Sequence, residues 1–419
     1  MDRSLARAAL TTLGLCGACL LADAAFAQQP TDIGTLPGFT IARPRNISNH
    51  RTIVGQAERA GVEPTQQAAL WTRTDEGYAV EALPALAGLL RSDARAFARG
   101  GAPVGSSSLI GTYNLVRAVV WREDASGQRV PVDLEPPAGF TDAQAFDANH
   151  HGVIVGEAVN PGEVINGSIV RHAVVWTPKD EGGYEVEDLG IPEGFDVSSA
   201  SGVNELGEIV GTARRFETDD LGVLFQRAVV VVWHARSHHR RRGHADTVVI
   251  LPSHPDLPRA QNPVISTAGL VVAQADRVPT GKPLVSRALL WVRWGHGFAG
   301  PYELPVPQGF TDAGANDVNE PGVIVGTAYV RQAPTPETVA SQAVIWTWSR
   351  AKRRFVYSLL PRPAATVYAT GARINQRGDV VGNAPIPPNG TSGGLLWKRT
   401  SCGRWSTPHW LRAPELEAP

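Results

Sequence analysis

Short apolar runs and polar turns alternate along this chain in one fixed order, and the order returns every 50 to 60 residues or so. Asn149 to Trp176 shows the unit. An asparagine turn leads into Val153-Ile154-Val155-Gly156, a polar stretch follows, and a second apolar run ends in Ala173-Val174-Val175-Trp176. The glycine-ended run recurs at Gly55, Gly105, Gly156, Gly211, Ala273, Gly326 and Gly382, in steps of 50 to 62 residues. The tryptophan-ended run recurs at Trp71, Trp121, Trp176, Trp233, Trp291, Trp346 and Trp397, in steps of 50 to 58. Two independent markers thus keep one count of seven, the signature of a repeat architecture.

Each unit offers four strand-like runs, clearest in repeat three: Ala143 to Ala148, Val153 to Ala158, Ala173 to Trp176 and Tyr184 to Leu189. The fourth alternates like a half-buried strand. The second and third are apolar throughout, as strands covered on both faces are. Asparagine and glycine at the first and fourth turn positions (Asn149 and Gly152, Asn204 and Gly207, Asn319 and Gly322, Asn375 and Gly378) suit a tight hairpin between runs one and two. No run carries helical periodicity. Seven four-stranded sheets, each needing a neighbour on both faces, predict an all-β fold: a β-propeller of seven four-stranded blades. A β-solenoid, whose coils are usually shorter than this unit, and tandem sandwiches are the alternatives.

The repeats run approximately 38–90, 91–137, 138–192, 193–253, 254–307, 308–362 and 363–414. Repeats two and five depart from the pattern, with Gly100-Gly101 and Thr267-Ala268-Gly269 in place of the asparagine turn. Thr31 to Pro37 resembles a fourth run, such as Glu187 to Pro192, but precedes the first repeat. It can complete the last blade and so remove an exposed sheet edge. The tail from Trp405 to Pro419 competes for the same place, and the sequence leaves the choice open.

Met1 to Ala27 reads as a cleaved signal peptide: Arg3 and Arg7, an apolar stretch from Ala8 to Ala22, then Ala25-Phe26-Ala27 before Gln28. The expectation is an exported protein, periplasmic or extracellular, without a transmembrane segment. Cys19 raises a lipoprotein alternative, but Cys16 stands where a lipobox wants leucine. Cys402 is the one cysteine beyond the leader, too few for an internal disulfide. Two Lys or Arg and two Asp or Glu leave with the leader, so 39 against 40 becomes 37 against 38. That balance argues against a specific nucleic-acid binder. The chain is read as a monomer.

The asparagine turn, the Gly-x-Ile/Val-Val-Gly run, the variable stretch and the small residue with two aliphatics before tryptophan together resemble the extracellular HAF-repeat family of bacteria. The family takes its name from a His-Ala-Phe run in the third strand. Here only His172-Ala173 keeps the first two letters, and an aliphatic always replaces the phenylalanine. The resemblance implies an exported repeat protein and carries over no catalytic residue.

Candidate sites follow from blade geometry. The links between second and third runs (58–67, 106–116, 160–171, 214–227, 276–287, 329–342 and 384–393) differ in every repeat and leave one face, where variable loops on a constant scaffold would meet a protein or a polysaccharide. The same face should carry the carboxylates that open the blades, Asp93, Asp142, Asp196 and Asp312, which would hold calcium if they ring the channel mouth; as turn residues they would instead accept backbone N–H groups. Asp147-x-Asn149 and Asp317-x-Asn319 mimic the opening of a calcium loop, but alanine stands at its twelfth position, so they read as hairpin turns. On the opposite face, Arg240, Arg241 and Arg242 lie among histidines in a cationic insertion suited to a polyanion. Gly390-Thr391-Ser392-Gly393-Gly394 spells a nucleophile elbow in the wrong context, without a strand-turn-helix. The seven repeated tryptophans read as core. Trp294, Trp348, Trp405 and Trp410 remain for exposed stacking. The functional expectation is a non-enzymatic binding or scaffold module, with a glycan-acting propeller enzyme or a purely structural surface protein as alternatives.

Overall fold

Valine-, isoleucine- and tryptophan-rich runs between asparagine and glycine turns become antiparallel strands in the computed structural model of the protein. It describes residues 31–109, 115–165, 168–218, 224–234, 248–277, 284–331, 338–363, 366–386 and 391–399. The expected signal peptide at residues 1–27, the Arg240 to Arg242 insertion, Cys402 and the C-terminal tail lie outside the described residues. Within them every element is a strand except a single 3-10 turn, Arg99–Gly101.

The strands form seven antiparallel four-stranded blades. Their inner strands are Ile41–Ile47, Arg91–Phe97, Asp142–Ala148, Val197–Val203, Arg259–Ile265, Asp312–Val318 and Thr370–Ile374. Each inner strand packs beside the next, and the seventh packs beside the first, so the blades close a ring around a central axis. Blades four and five also share one parallel bridge, Ala228 with Arg259. The strand that completes blade seven comes from the other end of the chain: Thr31 pairs with Leu396 and Asp32 with Leu395. The N-terminal stretch is therefore the one that closes the ring.

Seven apolar clusters hold the blades together, one in each seam. Each repeated tryptophan sits in the seam with the preceding blade and is at most 3% exposed. Six of the seven indole N–H groups donate to a carbonyl just past that blade's outer strand, at 2.7 to 3.1 Å: Gly34, Pro84, Glu135, Pro252, Pro305 and Pro361. A buried indole thereby keeps its polar group paired. Trp233 is the exception; its N–H is buried without a partner.

The glycine that ends each second run answers to a bulge in the inner strand beside it. The bulge turns an inner-strand carbonyl over the glycine, and a Cβ there would lie only 1.8 to 2.0 Å from that oxygen at Gly55, Gly105, Gly156, Gly211, Gly326 and Gly382. Close backbone approach, not a left-handed φ, is what demands glycine. Blade five tolerates Ala273 because its inner strand bulges more widely, jumping from Gln261 to Val264 in register.

The asparagine turns do more than close hairpins. Each asparagine oxygen accepts N–H groups of its own turn, as Asn149 does from His151 and Val153. Its amide then donates to the turn carbonyl of the next blade: Asn149 to Asn204, Asn204 to Ser266, Asn319 to Asn375, and Asn375 to Ser48. These bonds form a belt on one face. Ser48, Ala98 and Ser266 stand where the belt would need asparagine in blades one, two and five.

Candidate functional site: the central channel and the loop face

The inner strands face an open lumen. Arg43, Arg45 and Arg95 sit on the innermost strands of blades one and two, yet their side chains are 39, 44 and 33% accessible, which requires space along the axis. Arg43 pairs with Glu58 at 2.7 Å, and Arg95 pairs with Asp93 at 2.7 Å. Arg45 lies 3.9 Å from the same Asp93. Arg95 also stacks over Phe146 of blade three, 4.9 Å from the ring centroid. Asp93 pulls the Arg45 pKa up, but burial and the neighbouring Arg95 and Arg43 leave it below the usual guanidinium range.

One step along the axis, the residues just after the bulge converge. Asp147 accepts the N–H of Val203 in the next blade at 3.1 Å, and Asp317 accepts that of Ile374 at 2.9 Å. Asp317 also accepts its neighbour Val318 N–H at 2.9 Å. Arg373 of blade seven attracts both carboxylates and anchors itself on the Asn316 carbonyl at 2.7 Å. Burial nevertheless dominates and raises both carboxyl pKa values, that of Asp147 to about 6. The sequence marked these two aspartates only as turn residues. The spacing Asp-x-Asn is their signal: the asparagine builds the turn, and the aspartate two positions earlier caps the next blade's inner strand.

The raised Asp147 pKa has a testable sign. An aspartate whose folded pKa exceeds its unfolded value of roughly 3.9 binds more protons in the native state. Its contribution to stability therefore falls as pH rises from about 4 to 6 and stays low above. Asp147→Asn keeps an acceptor for Val203 and loses the buried charge. We expect its thermal midpoint to exceed the wild type's at pH 8 and to match it near pH 4. A variant no more stable at pH 8 would contradict the burial of an ionised carboxylate there.

The four blade-opening carboxylates occupy different places. Asp142 and Asp312 are equivalent, each the first residue of its inner strand. Their Oδ1 atoms accept backbone N–H groups of the preceding blade, from Val116 at 2.5 Å and from Ser286 at 2.6 Å, and their Oδ2 atoms accept the hydroxyls of Thr141 and Thr311 at 2.6 Å. The Gly-Phe-Thr-Asp sequence is thus a latch between blades. Ser92 and Ser198 do similar work elsewhere, accepting Ala68 and Ala173 N–H groups. Asp93 stands two positions further along its strand. Asp196 precedes its inner strand and accepts Phe216 N–H at 2.8 Å within its own blade. The structure does not gather the four, and no group of three or more His, Cys, Asp or Glu side chains placed to hold a metal occurs among the described residues.

The loop face differs from the sequence expectation in one respect. Part of what reads as polar loop is strand. The second and third strands run on past the blade body in blade three (Ile154–Ile165 with Ser168–Pro178), blade four (Glu208–Thr218 with Leu224–His234) and blade six (Ile324–Arg331 with Thr338–Ser349). These two-stranded arms carry exposed aliphatics, Val164 at 55% and Val339 at 39%. On the opposite face, Trp294 is exposed at the end of a hairpin, whereas Trp348 packs edge-on against Phe355. No described helix is long and apolar enough to cross a membrane.

No family model matches the chain, and no curated protein matches it. Among solved structures, a variant of B. subtilis levansucrase aligns with TM-score 0.32 and 8% identity, over 66% of this chain and 90% of that one. Trypanosoma rangeli sialidase in complex with sialic acid aligns with TM-score 0.38 and 9% identity, over 88% of this chain and 56% of that one.

Proposed function

We propose that this protein is an exported, non-enzymatic binding module that grips another protein with the face from which the second-to-third-strand arms and the blade-to-blade links leave. The observation that carries the reading is the placement of exposed apolar side chains. Of fourteen large hydrophobic residues exposed among the described residues, eight lie on this one face: Val62, Leu90, Leu109, Leu115, Val164, Val339, Val367 and Tyr368. Seven of the eight are not aromatic, which suits a protein surface better than the stacking platform a sugar ring prefers. Apolar groups gathered on one rim mark an interaction surface, whereas single ones scattered over a surface do not.

The test places a photo-activated cross-linker at Val164 or Val339 in the intact protein within its native cells. The reading expects one defined partner captured from both positions and none from Leu206, which is 65% exposed on the other face. Val164→Glu with Val339→Glu should then weaken the purified pair by tenfold or more. Equal capture from Leu206, or affinity unchanged by the double substitution, sinks it.

Asp147 supports a second reading. Asp147 and Asp317 lie on inner strands within the field of Arg373, and burial raises both carboxyl pKa values, the condition a glycan-hydrolysing acid needs. Turnover of a glycan that disappears in Asp147→Asn would favour that enzyme over the binding module.

A further inference from the structure

The seam between blades two and three opens into a cleft of about 360 Å³ on the face opposite the arms. The asparagine belt is interrupted at this rim. Blade two has Ala98 where the belt needs an asparagine, and the following Arg99-Gly100-Gly101 turn donates no side-chain amide to the Asn149 turn of blade three. The seam stays closed at its core, where Trp176 is buried, and parts at its rim.

Four cationic side chains line this cleft, Arg99, Arg122 and Arg129 from blade two and Lys179 from blade three, against one carboxylate, Glu123. Glu123 is already engaged by Arg129 at 2.8 Å. Among the described residues no carboxylate forms an ion pair with Arg99, Arg122 or Lys179. Arg122 lies over the ring of Tyr184, 5.5 Å from its centroid, which fixes the guanidinium plane at the cleft wall. Arg99 packs against the Gly152 turn, where a Cβ would meet its own Cβ at 3.3 Å. The Arg122 guanidinium held over its ring, with Arg99 and Lys179 lining the same cleft and three unbalanced charges, is built to receive several oxygens of one anion.

We propose that this cleft is an oxyanion site that takes a phosphate or sulfate ester. Planar guanidinium forks match the paired oxygens of either group, and the lysine adds a point charge. The ester's source, a phosphorylated or a sulfated molecule, is what the experiment separates. The site is on the other face from the arms, so it stands or falls apart from the protein-binding reading.

Titration calorimetry of the purified protein with glucose 6-phosphate, glucose 6-sulfate and glucose tests it, in a buffer free of multivalent anions. The expected result is saturable one-site binding of an ester, weakening with added salt, and none of glucose. Arg99→Gln with Arg122→Gln should weaken ester binding at least about tenfold, since each removes a charge-assisted contact. Both residues are exposed, so the variant should keep the wild-type melting midpoint in the same buffer. Arg240 to Arg242 remain intact in the variant, so a loss belongs to the cleft. Preference for the phosphate names a phosphorylated source, and equal or better binding of the sulfate names a sulfated one. The absence of saturable ester binding, binding of glucose equal to that of the esters, or wild-type affinity in the double variant overturns the proposal.

Discussion

Trp176→Ala will cost about 3–5 kcal/mol of folding stability, the range for truncating a fully buried large side chain. The side chain is 1% exposed in the seam between blades two and three, packed with Ala96, Val104, Val120 and Leu134 of one blade and Ala145 and Ile154 of its own. A cavity there removes contacts from two blades at once, and neither blade can relax toward it without moving its other seam. Trp176→Phe separates packing from polarity. Phenylalanine keeps most of the contact but loses the 2.8 Å bond to the Glu135 carbonyl, for an added cost of about 1 kcal/mol. Trp233→Phe removes an indole N–H that has no partner, so its hydrogen-bond cost is absent and it should be the milder of the two. Chemical denaturation of the four proteins measures this directly. Equal losses for the two phenylalanine variants would contradict the role given to the carbonyl bond.

Asp379→Ala is the second large effect, at about 2–4 kcal/mol, because it leaves a cation and an amide facing the hole where a buried carboxylate stood. Asp379 is fully buried and takes both arms of the Arg51 guanidinium, at 2.9 and 3.0 Å, across the seam between the last blade and the first. It also accepts Asn375 Nδ2 at 3.0 Å and the Arg399 N–H at 3.2 Å. Arg51 is itself 21% exposed, so part of the loss is recovered by water, and the range sits below that for a fully enclosed pair. Burial pushes the Asp379 carboxyl up, but the bonds from Arg51 and Asn375 outweigh it and leave the pKa below its ordinary value. A depressed folded pKa means stabilisation that is complete above the unfolded value and lost as pH falls through the folded one. The gap between wild type and variant should therefore be flat from about pH 5 to 8 and close below about pH 4. A gap that widens in acid would contradict the ion pair.

Much of this architecture is written in the repeats, and the reasons are local. Tryptophan after two aliphatics can only be core when it recurs in one slot, and the seven seams bear that out. Glycine after Ile-Val or Val-Val signals backbone crowding, although nothing in one sequence says that the crowding comes from a neighbouring bulge. The asparagine turns were legible as hairpins, but their second function was not, because the acceptor of each Nδ2 lies 55 to 62 residues away for the links from Asn149, Asn204 and Asn319 and 327 away for Asn375. The same distance hid Asp147 and Asp317, whose partners are backbone amides of the next blade. The candidate calcium carboxylates show the converse. Asp93 and Asp142 look alike in sequence, yet a two-residue difference in register sends one to arginines at the lumen and the other to a backbone latch. The cleft between blades two and three was foreshadowed only by the missing asparagine at Ala98.

Hydrogen exchange of the peptide spanning residues 31 to 37 tests the central claim, a seven-bladed ring closed by its own first strand. Ile33 N–H donates to the Gly394 carbonyl at 3.1 Å, and its side chain is 2% exposed among Trp71, Ile53 and Leu396. Amides that open only with a packed unit exchange with the slow set of that unit. The account predicts that Ile33 exchanges as slowly as Val381 and Leu396 of the last blade. Exchange of residues 31 to 37 at the rate of an unstructured chain, while the last blade stays protected, would show that another segment or none completes it.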